Sequence, residues 1–332
     1  MNTLVLSQEE VRSLLPMSEC MMLVAQSLEA LARGEADNPL RRGMLVSGKT
    51  SLIGMMPGYV QDPPALGLKV VGVFPDNHGT DLDSHQGIVL LFDVDTGVPI
   101  GVFDASEITA IRTAAASGVA TRLLAREDAG DLALIGTGVQ AHTHLAAMAE
   151  ARKLRRVRVF GRNAERRKEF ARKATERHGF EVEAAESAEA AVRGADMVCT
   201  TTSSAVPVLL GEWLSPGCHI NAVGACIPKT RELDTAAVAG AQLFTDNIES
   251  CVNESGDYLF PLKEGAIGKD HIRGVIGDLL LGKIEGRRNA DDITIFDSLG
   301  IAVEDLVVGH YLLQRARAEG VGTTVALGGR AQ

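Results

Sequence analysis

Apolar residues recur along this chain with two different periods, and the change from one to the other divides it. Residues 18 to 33 (SECMMLVAQSLEALAR) carry apolar side chains at three- and four-residue spacing, which predicts an amphipathic helix. Ser18 is its candidate N-cap and Gly34 its stop. The runs then shorten to strand-like pieces, SLIGMM, LGLKVVGVF and GIVLLFDV, separated by the turn-rich PDNHGTDLDS and DTGVP. The first 110 or so residues therefore read as an α+β unit.

From residue 131 short apolar strands alternate with helices. The series runs DLALIG, VQAHTHLAAMAEAR, RVRVF, AERRKEFARKATERH, FEVEAA, SAEAAVRGA, DMVCTTT, CHINAVGA and QLFTD. Such alternation predicts a parallel sheet covered on both faces. ITIFDSLG at 293–300 reads as one more buried strand, and IAVEDLVVGHYLLQRARAEG as a helix that returns to the N-terminal unit. The expected fold class is α/β, a doubly wound parallel sheet with a discontinuous α+β domain. Residues 1–118 and 301–332 would form that domain and residues 119–300 the sheet domain.

Between strand DLALI and helix VQAHTHLAAMAE stands Gly136-Thr137-Gly138-Val139-Gln140-Ala141, a G-x-G-x-x-A loop. Gly136 permits the tight turn and Gly138 lets the backbone approach a pyrophosphate. Ala141 allows close helix–strand packing, and the helix N-terminus faces the negative charge. In this strand–helix context the loop marks a Rossmann dinucleotide site. The second strand of such a domain usually ends in a carboxylate that accepts the ribose hydroxyls of NADH. Here the run is Phe160-Gly161-Arg162-Asn163. Arg162 and Asn163 suit a 2′-phosphate instead, with Arg166 or Arg167 adding charge one turn later, so NADPH is the expected cofactor and NADH the second choice.

Composition acts mainly by exclusion. Hydrophobic residues make 45% of the 332 and charged residues 23%, the balance of a globular protein with room for two domains. Acids outnumber bases 43 to 33, a formal charge of -10 that argues against nucleic acid and anionic lipid as partners. The start, MNTLVLSQEEVRSLL, lacks a basic region, and no apolar run approaches the ~18 residues of a membrane span, so a cytoplasmic protein is expected. Five cysteines, Cys20, Cys199, Cys218, Cys226 and Cys251, show neither C-x-x-C nor zinc spacing, which predicts a reducing compartment and no metal. His142 and His144, two apart on a helix, point to different sides and do not suggest shared ligation. Trp213 reads as core packing.

Several pieces together resemble the ornithine cyclodeaminase and μ-crystallin family. They are Pro39-Leu40-Arg41, MMPGY at 55–59, LGLKVV around Lys69, SHQG at 84–87, ITAIRTAAAS around Arg112, GTGVQA, GADMVCTTT, INAVGACIPKTRELD and FDSLGIAVEDL. The resemblance runs from about residue 39 to 306. It implies a homodimer whose α+β domain binds a small amino or imino acid, with Arg41, Lys69 and Arg112 around the substrate carboxylate and Lys69 near the reacting nitrogen. It also implies that Thr201, Val223 and Gly224 join Gly136, Thr137, Gly138, Val139 and Gln140 at the cofactor. Met56, His85, Cys226 and Ser298 would then stand on the substrate side.

The residues carry a chemical argument of their own. An α-imino carboxylate needs a fixed cationic clamp and a proton donor beside the imine. Arg112, the one charge among the small residues of ITAIRTAAAS, is either that clamp or half of a structural ion pair. Arg41, beside Arg42, is either clamp or solvated surface. Lys69 in its apolar strand lines a pocket or points out from an edge, and His85 touches substrate or satisfies a turn.

One departure selects among the family's reactions. Cyclodeaminases of this family carry an aspartate in a GAD-type motif where this chain has Gly224-Ala225-Cys226. A thiol with a pKa of about 8.5 is a poor base at neutral pH. The expectation is therefore NADPH-dependent reduction of a cyclic ketimine carboxylate, Δ1-pyrroline-2-carboxylate to L-proline or Δ1-piperideine-2-carboxylate to L-pipecolate. The alternatives are ornithine cyclodeaminase, an N-alkyl amino acid or alanine dehydrogenase, and a non-catalytic μ-crystallin-like binder.

Overall fold

The computed structural model describes residues 2–49, 51–77 and 80–327. His78 and Gly79 of the PDNHGTDLDS turn lie outside the described residues. The chain divides into two compact units, residues 1–112 with 301–332 and residues 113–300.

The first unit opens with β1 (Asn2–Leu6), α1 (Gln8–Leu14), α2 (Met17–Arg33), β2 (Ala36–Asp37), β3 (Arg42–Leu45) and β4 (Leu52–Val60). β5 (Ala65–Val73), β6 (His85–Phe92), β7 (Pro99–Asp104) and α3 (Ala105–Leu124) follow, and the division between units falls inside α3. Helix α2 ends at Gly34 in the left-handed conformation, as its sequence predicts. Its start differs: the N-cap is Pro16, and Ser18 lies inside the first turn, where its hydroxyl caps nothing. Proline presets the backbone angle for entry, so the helix begins before the serine.

The second unit runs β8 (Asp131–Ile135), α4 (Val139–Ala151), β9 (Arg156–Phe160), α5 (Ala164–His178), β10 (Val182–Ala184), α6 (Ala188–Val192), β11 (Met197–Thr200) and β12 (His219–Ala222). It continues α7 (Thr235–Ala239), β13 (Gln242–Thr245), α8 (Ile248–Glu254), α9 (Gly256–Lys263), β14 (Ile272–Val275), α10 (Ile276–Leu280) and β15 (Thr294–Asp297). The chain then returns to the first unit with α11 (Ala302–Glu319) and β16 (Thr323–Ala326).

In the first unit the strand order is β16-β1-β7-β6-β5-β4-β2, with β3 paired to β4. Strand β5 lies inside the sheet between β6 and β4, and its alternation buries Ala65, Gly67 and Lys69 on one face. Helix α11 packs across β4, β5 and β6, and α2 packs against α11. The sheet of the second unit is parallel throughout, in the order β10-β9-β8-β11-β12-β15-β13-β14. This is the doubly wound sheet the strand–helix alternation predicts. Its order reverses between β8 and β11, and ligands of such sheets bind outside the carboxyl ends of the strands at that point.

Candidate functional site

In the first unit the sheet and two helices gather charges that the sequence keeps far apart. Lys69 is 2% exposed and Arg112 4%. The Lys69 ammonium lies 2.8 Å from Asp305 Oδ2, and its Nζ donates to Thr109 Oγ1 at 3.3 Å. The Arg112 guanidinium donates from Nε to Asp305 Oδ1 at 3.1 Å and from Nη1 to Glu304 Oε2 at 2.9 Å. One carboxylate thus bridges both cations. Nη2 of Arg112 takes no partner among the described residues. Arg41 is half-buried, and its charge is near enough to act on Lys69. Burial pushes the Lys69 ammonium down to about 8, helped by Arg112 and Arg41 and opposed by Asp305. Burial also works against the Arg112 charge, but Asp305 and Glu304 outweigh it and hold its pKa above the usual arginine value.

Glu304 and Asp305 hold Lys69 and Arg112, and the Arg41 charge adds a positive contribution at Lys69. A positive contribution of that kind suits an anionic ligand. Met56 is buried and stands directly across the ladder from Lys69. His85 is exposed at the start of β6, opposite Val73, while Lys69 pairs with Val89, so the ladder does not bring that imidazole to the cluster. Its Nδ1 is 3.0 Å from Ser84 Oγ.

In the second unit the glycine loop takes the shape the motif predicts. Gly136 has φ +125°, and a Cβ there would meet Thr201 Oγ1 at 2.6 Å, so only glycine fits. A Cβ on Gly138 would enter open space, which leaves the backbone approachable from outside. Gly138 caps α4 with no side-chain hydrogen bond, and Val139 after it is 59% exposed. Helix N–H groups without a side-chain acceptor are what a pyrophosphate needs. His144 is buried between Ser117 Oγ at 2.9 Å and the Gln140 carbonyl at 2.7 Å, and burial pulls its pKa to about 4, so it serves as a neutral brace.

At the end of β9, Arg162 and Asn163 are exposed. Asn163 Oδ1 accepts from the Arg166 N–H at 2.9 Å and so caps α5. Arg167 donates to the Gly161 carbonyl at 2.8 Å and lies over the Phe160 ring. Of the groups read as 2′-phosphate ligands, Arg162 and the Asn163 amide nitrogen therefore keep their donors for a ligand more fully than Arg167 does. Further along the strand ends, Thr201 and Gly224 are half-buried and Val223 is buried. Ser298 is buried at the end of β15, and its hydroxyl has no partner among the described residues. An orphaned hydroxyl at a carboxyl strand edge fits a bound polar group such as a nicotinamide carboxamide. The Cys226 thiol donates to the Val223 carbonyl at 3.2 Å and lies 3.6 Å from the Ser298 carbonyl.

Glu304, Asp305 and Thr109 receive no role from the sequence reading. The signal for the acids was present, since two adjacent carboxylates in the apolar run IAVEDLVVG are out of place unless paired. Buried acids of the second unit, Glu232, Asp246 and Asp257, gave no such signal.

Comparison with known proteins follows the same lines. The profile described as the ornithine cyclodeaminase/mu-crystallin family matches residues 1–320. A Δ1-pyrroline-2-carboxylate reductase of Bacillus thuringiensis subsp. konkukian is 35% identical over 323 residues, 97% of this chain and 99% of that protein. The Thermococcus litoralis Δ1-pyrroline-2-carboxylate reductase, solved in complex with NADH and L-proline, superimposes with a TM-score of 0.95 at 38% identity, covering 97% of this chain and 100% of that one. An archaeal alanine dehydrogenase dimer with bound NAD superimposes with a TM-score of 0.92 at 32% identity, over 98% of this chain and 99% of that one.

Proposed function

This chain belongs to the ornithine cyclodeaminase/mu-crystallin family, and from that premise we propose that it is an NADPH-dependent reductase of cyclic ketimine carboxylates. Its substrate is Δ1-pyrroline-2-carboxylate, giving L-proline, or the six-membered homologue, giving L-pipecolate. The observation that carries this reading is the Asp305 bridge between Lys69 and Arg112. With the ammonium and the guanidinium fixed on one carboxylate, an imino acid whose carboxylate lies on Arg112 and Arg41 presents its α-nitrogen to Lys69.

Reduced nicotinamide supplies a hydride. The chain supplies the rest: Arg112 Nη2 and Arg41 orient the carboxylate, and Lys69 gives its proton to the ring nitrogen as the C=N bond becomes C–N. An ammonium with its pKa lowered to about 8 is a competent acid near neutrality. The dinucleotide would be held by Gly136, Thr137, Gly138, Val139 and Gln140, with Thr201, Val223, Gly224 and the Ser298 hydroxyl toward its nicotinamide half. Arg162 favours the 2′-phosphate of NADPH, and NADH is the weaker cofactor. A second reading, oxidation of an open-chain amino acid such as alanine, is favoured by the likeness to the archaeal dehydrogenase.

The active form is a homodimer in a reducing, cytoplasmic environment. Met55, Val70 and Ile88 stand in register across β4, β5 and β6 on the face opposite Lys69. Met55 is 37% exposed and Ile88 40%, and Met44 and Leu45 of β3 add more exposed apolar surface. All five cysteines are free, and among the described residues no helix is long and apolar enough to cross a membrane. Sedimentation at twice the chain mass of 35.1 kDa is the expected result.

The deciding experiment mixes the protein with NADPH and, in turn, cyclic imino acids and pyruvate with ammonia or methylamine, and follows absorbance of the reduced cofactor. Turnover of the cyclic compounds supports the reading. Turnover of pyruvate with an amine alone supports the dehydrogenase instead.

A further inference from the structure

Glu232 is fully buried in the second unit, in the segment that follows β12. Its Oε1 accepts from the backbone N–H and the hydroxyl of Thr202, each at 2.6 Å, and its Oε2 accepts from the Gly224 N–H at 2.7 Å. Thr202 belongs to the loop after β11 and Gly224 to the loop after β12. The clamp is flush, since a side chain on Gly224 would run into the Thr202 carbonyl oxygen and the Glu232 carboxyl group. Glu232 is held in turn by Asp257, whose Oδ1 accepts from the N–H groups of Glu232 and Leu233 at 2.8 Å each. With backbone donors on both oxygens and the Thr202 hydroxyl as a third donor, Glu232 has the contacts of an anion.

The two loops it joins stand where the nicotinamide half of a dinucleotide goes. The pyrophosphate is read after β8 and the adenosine ribose after β9, on one side of the point where the strand order reverses. The remainder of the cofactor extends the other way, over the ends of β11 and β12. An oxidised nicotinamide ring carries a positive charge and a reduced one does not. We propose that Glu232 is a positioning residue that locks these two loops together and sets a fixed negative potential behind them, favouring the oxidised nicotinamide and so the loss of hydride from the reduced one. This rests on the dinucleotide reading of the second unit and is independent of which imino acid is the substrate.

Neighbouring acids matter to the charge. Burial holds the Glu232 carboxyl above the usual carboxylate value, and its Thr202 and Gly224 donors offset part of that rise. Asp257 is pushed well up by burial and by Asp297, and Asp297 to about 7 by burial together with Asp246 and Glu232. Asp246 Oδ2 accepts from the Leu299 and Gly300 N–H groups. Glu232 takes a backbone N–H on each of its oxygens, from Thr202 and from Gly224.

The test reads binding, not turnover. Dissociation constants for NADP+ and NADPH are measured on the unmodified protein, on Glu232→Gln and on Thr202→Val. In Glu232→Gln the affinity for the oxidised form relative to the reduced form should fall about tenfold, the scale of one fixed charge acting across a partly screened interior. Thr202→Val removes a neutral donor from the same clamp, so it should change both affinities together and leave their ratio intact. An unchanged ratio in Glu232→Gln, even with both affinities weakened, overturns the electrostatic role. Should that variant not fold, the unmodified protein is compared on the oxidised dinucleotide and its benzamide analogue, whose ring is uncharged. The analogue should bind about tenfold more weakly, and equal binding overturns the proposal. No dinucleotide binding at all by the unmodified protein would overturn the reading beneath it as well, which separates the two failures.

Discussion

The two units both bury charge, and they satisfy it by opposite means. The first pairs cations with side-chain carboxylates, Lys69 and Arg112 with Asp305 and Glu304. The second gives its acids backbone N–H groups, with Asp246 Oδ2 on Leu299 and Gly300 at 2.8 and 2.6 Å and Asp257 Oδ1 on Glu232 and Leu233. An acid on backbone donors fixes the course of the chain and has little left to offer a ligand. A cation sharing a carboxylate keeps N–H directions in reserve, as Nη2 of Arg112 does, and those directions can meet an anion. On the proposed reading the first arrangement serves a substrate, while the second holds loops in place.

The contrast predicts where substitutions should be felt. Arg112→Ala should have the largest effect, a loss of kcat/KM for the imino acid of about 100-fold or more. It also removes the buried Arg112 guanidinium from Glu304 and Asp305, at a stability cost of about 3 kcal/mol visible in denaturant unfolding. Dinucleotide affinity should stay within about twofold, since the cofactor loop belongs to the other unit. A variant that keeps half the parent rate would make Arg112 as structural as the acids of the second unit.

Asp305→Asn comes next, and its sign is fixed by the geometry. Asp305 opposes the fall of the Lys69 pKa to about 8, so removing its charge lowers that pKa further. If protonated Lys69 is the acid, reduction falls as pH rises through its pKa, and in Asp305→Asn that alkaline limb should move toward acid by about one unit. A limb that stays in place, read from kcat against pH, would remove Asp305 from the proton chemistry.

Smaller effects are expected in the second unit. The parent should prefer NADPH over NADH by about tenfold in kcat/KM, and Arg162→Asp should reverse that preference, because a carboxylate repels the 2′-phosphate and accepts from a bare ribose. Equal kinetics with both cofactors would leave Arg162 a surface residue. Smallest is Cys226→Ala, expected to keep reductase activity within about tenfold, about 1.4 kcal/mol in barrier. Its thiol is spent on a backbone carbonyl, and no ammonia should appear when the unmodified protein is given L-ornithine. Robust release of ammonia would restore the cyclodeaminase reading.

How far each unit could be read from its sequence follows from the same contrast. The alternation from residue 131 and the G-x-G-x-x-A loop announced the parallel sheet, because buried parallel strands need continuous apolar runs and the turn needs its glycine. Strands β4, β5 and β6 were equally legible. Helix α1 was passed over although Ser7 and Glu10 form a complete capping box. Short elements such as β7, β14, β16 and α8 to α10 have too few residues to establish a period. The bridge of Asp305 from α11 to residues 193 and 236 positions upstream is a product of tertiary folding, and only the oddity of two acids in an apolar helix hinted at it. Glu232 and Asp257 were invisible because their partners are mainly backbone groups, which every residue has.

The setting of Lys69 also bears on how this scaffold changes over evolutionary time. Its strand is paired on both sides, to β4 through Met56 and to β6 through Val89, so the ammonium cannot drift without carrying three strands with it. Neighbouring positions on loops and strand rims, Arg41 among them, lack that restraint. Lineages descending from such a sheet should diversify in the size and shape of the molecule they accept while keeping the lysine's address unchanged. A gain of new reactivity should then leave its mark in the groups around the ammonium.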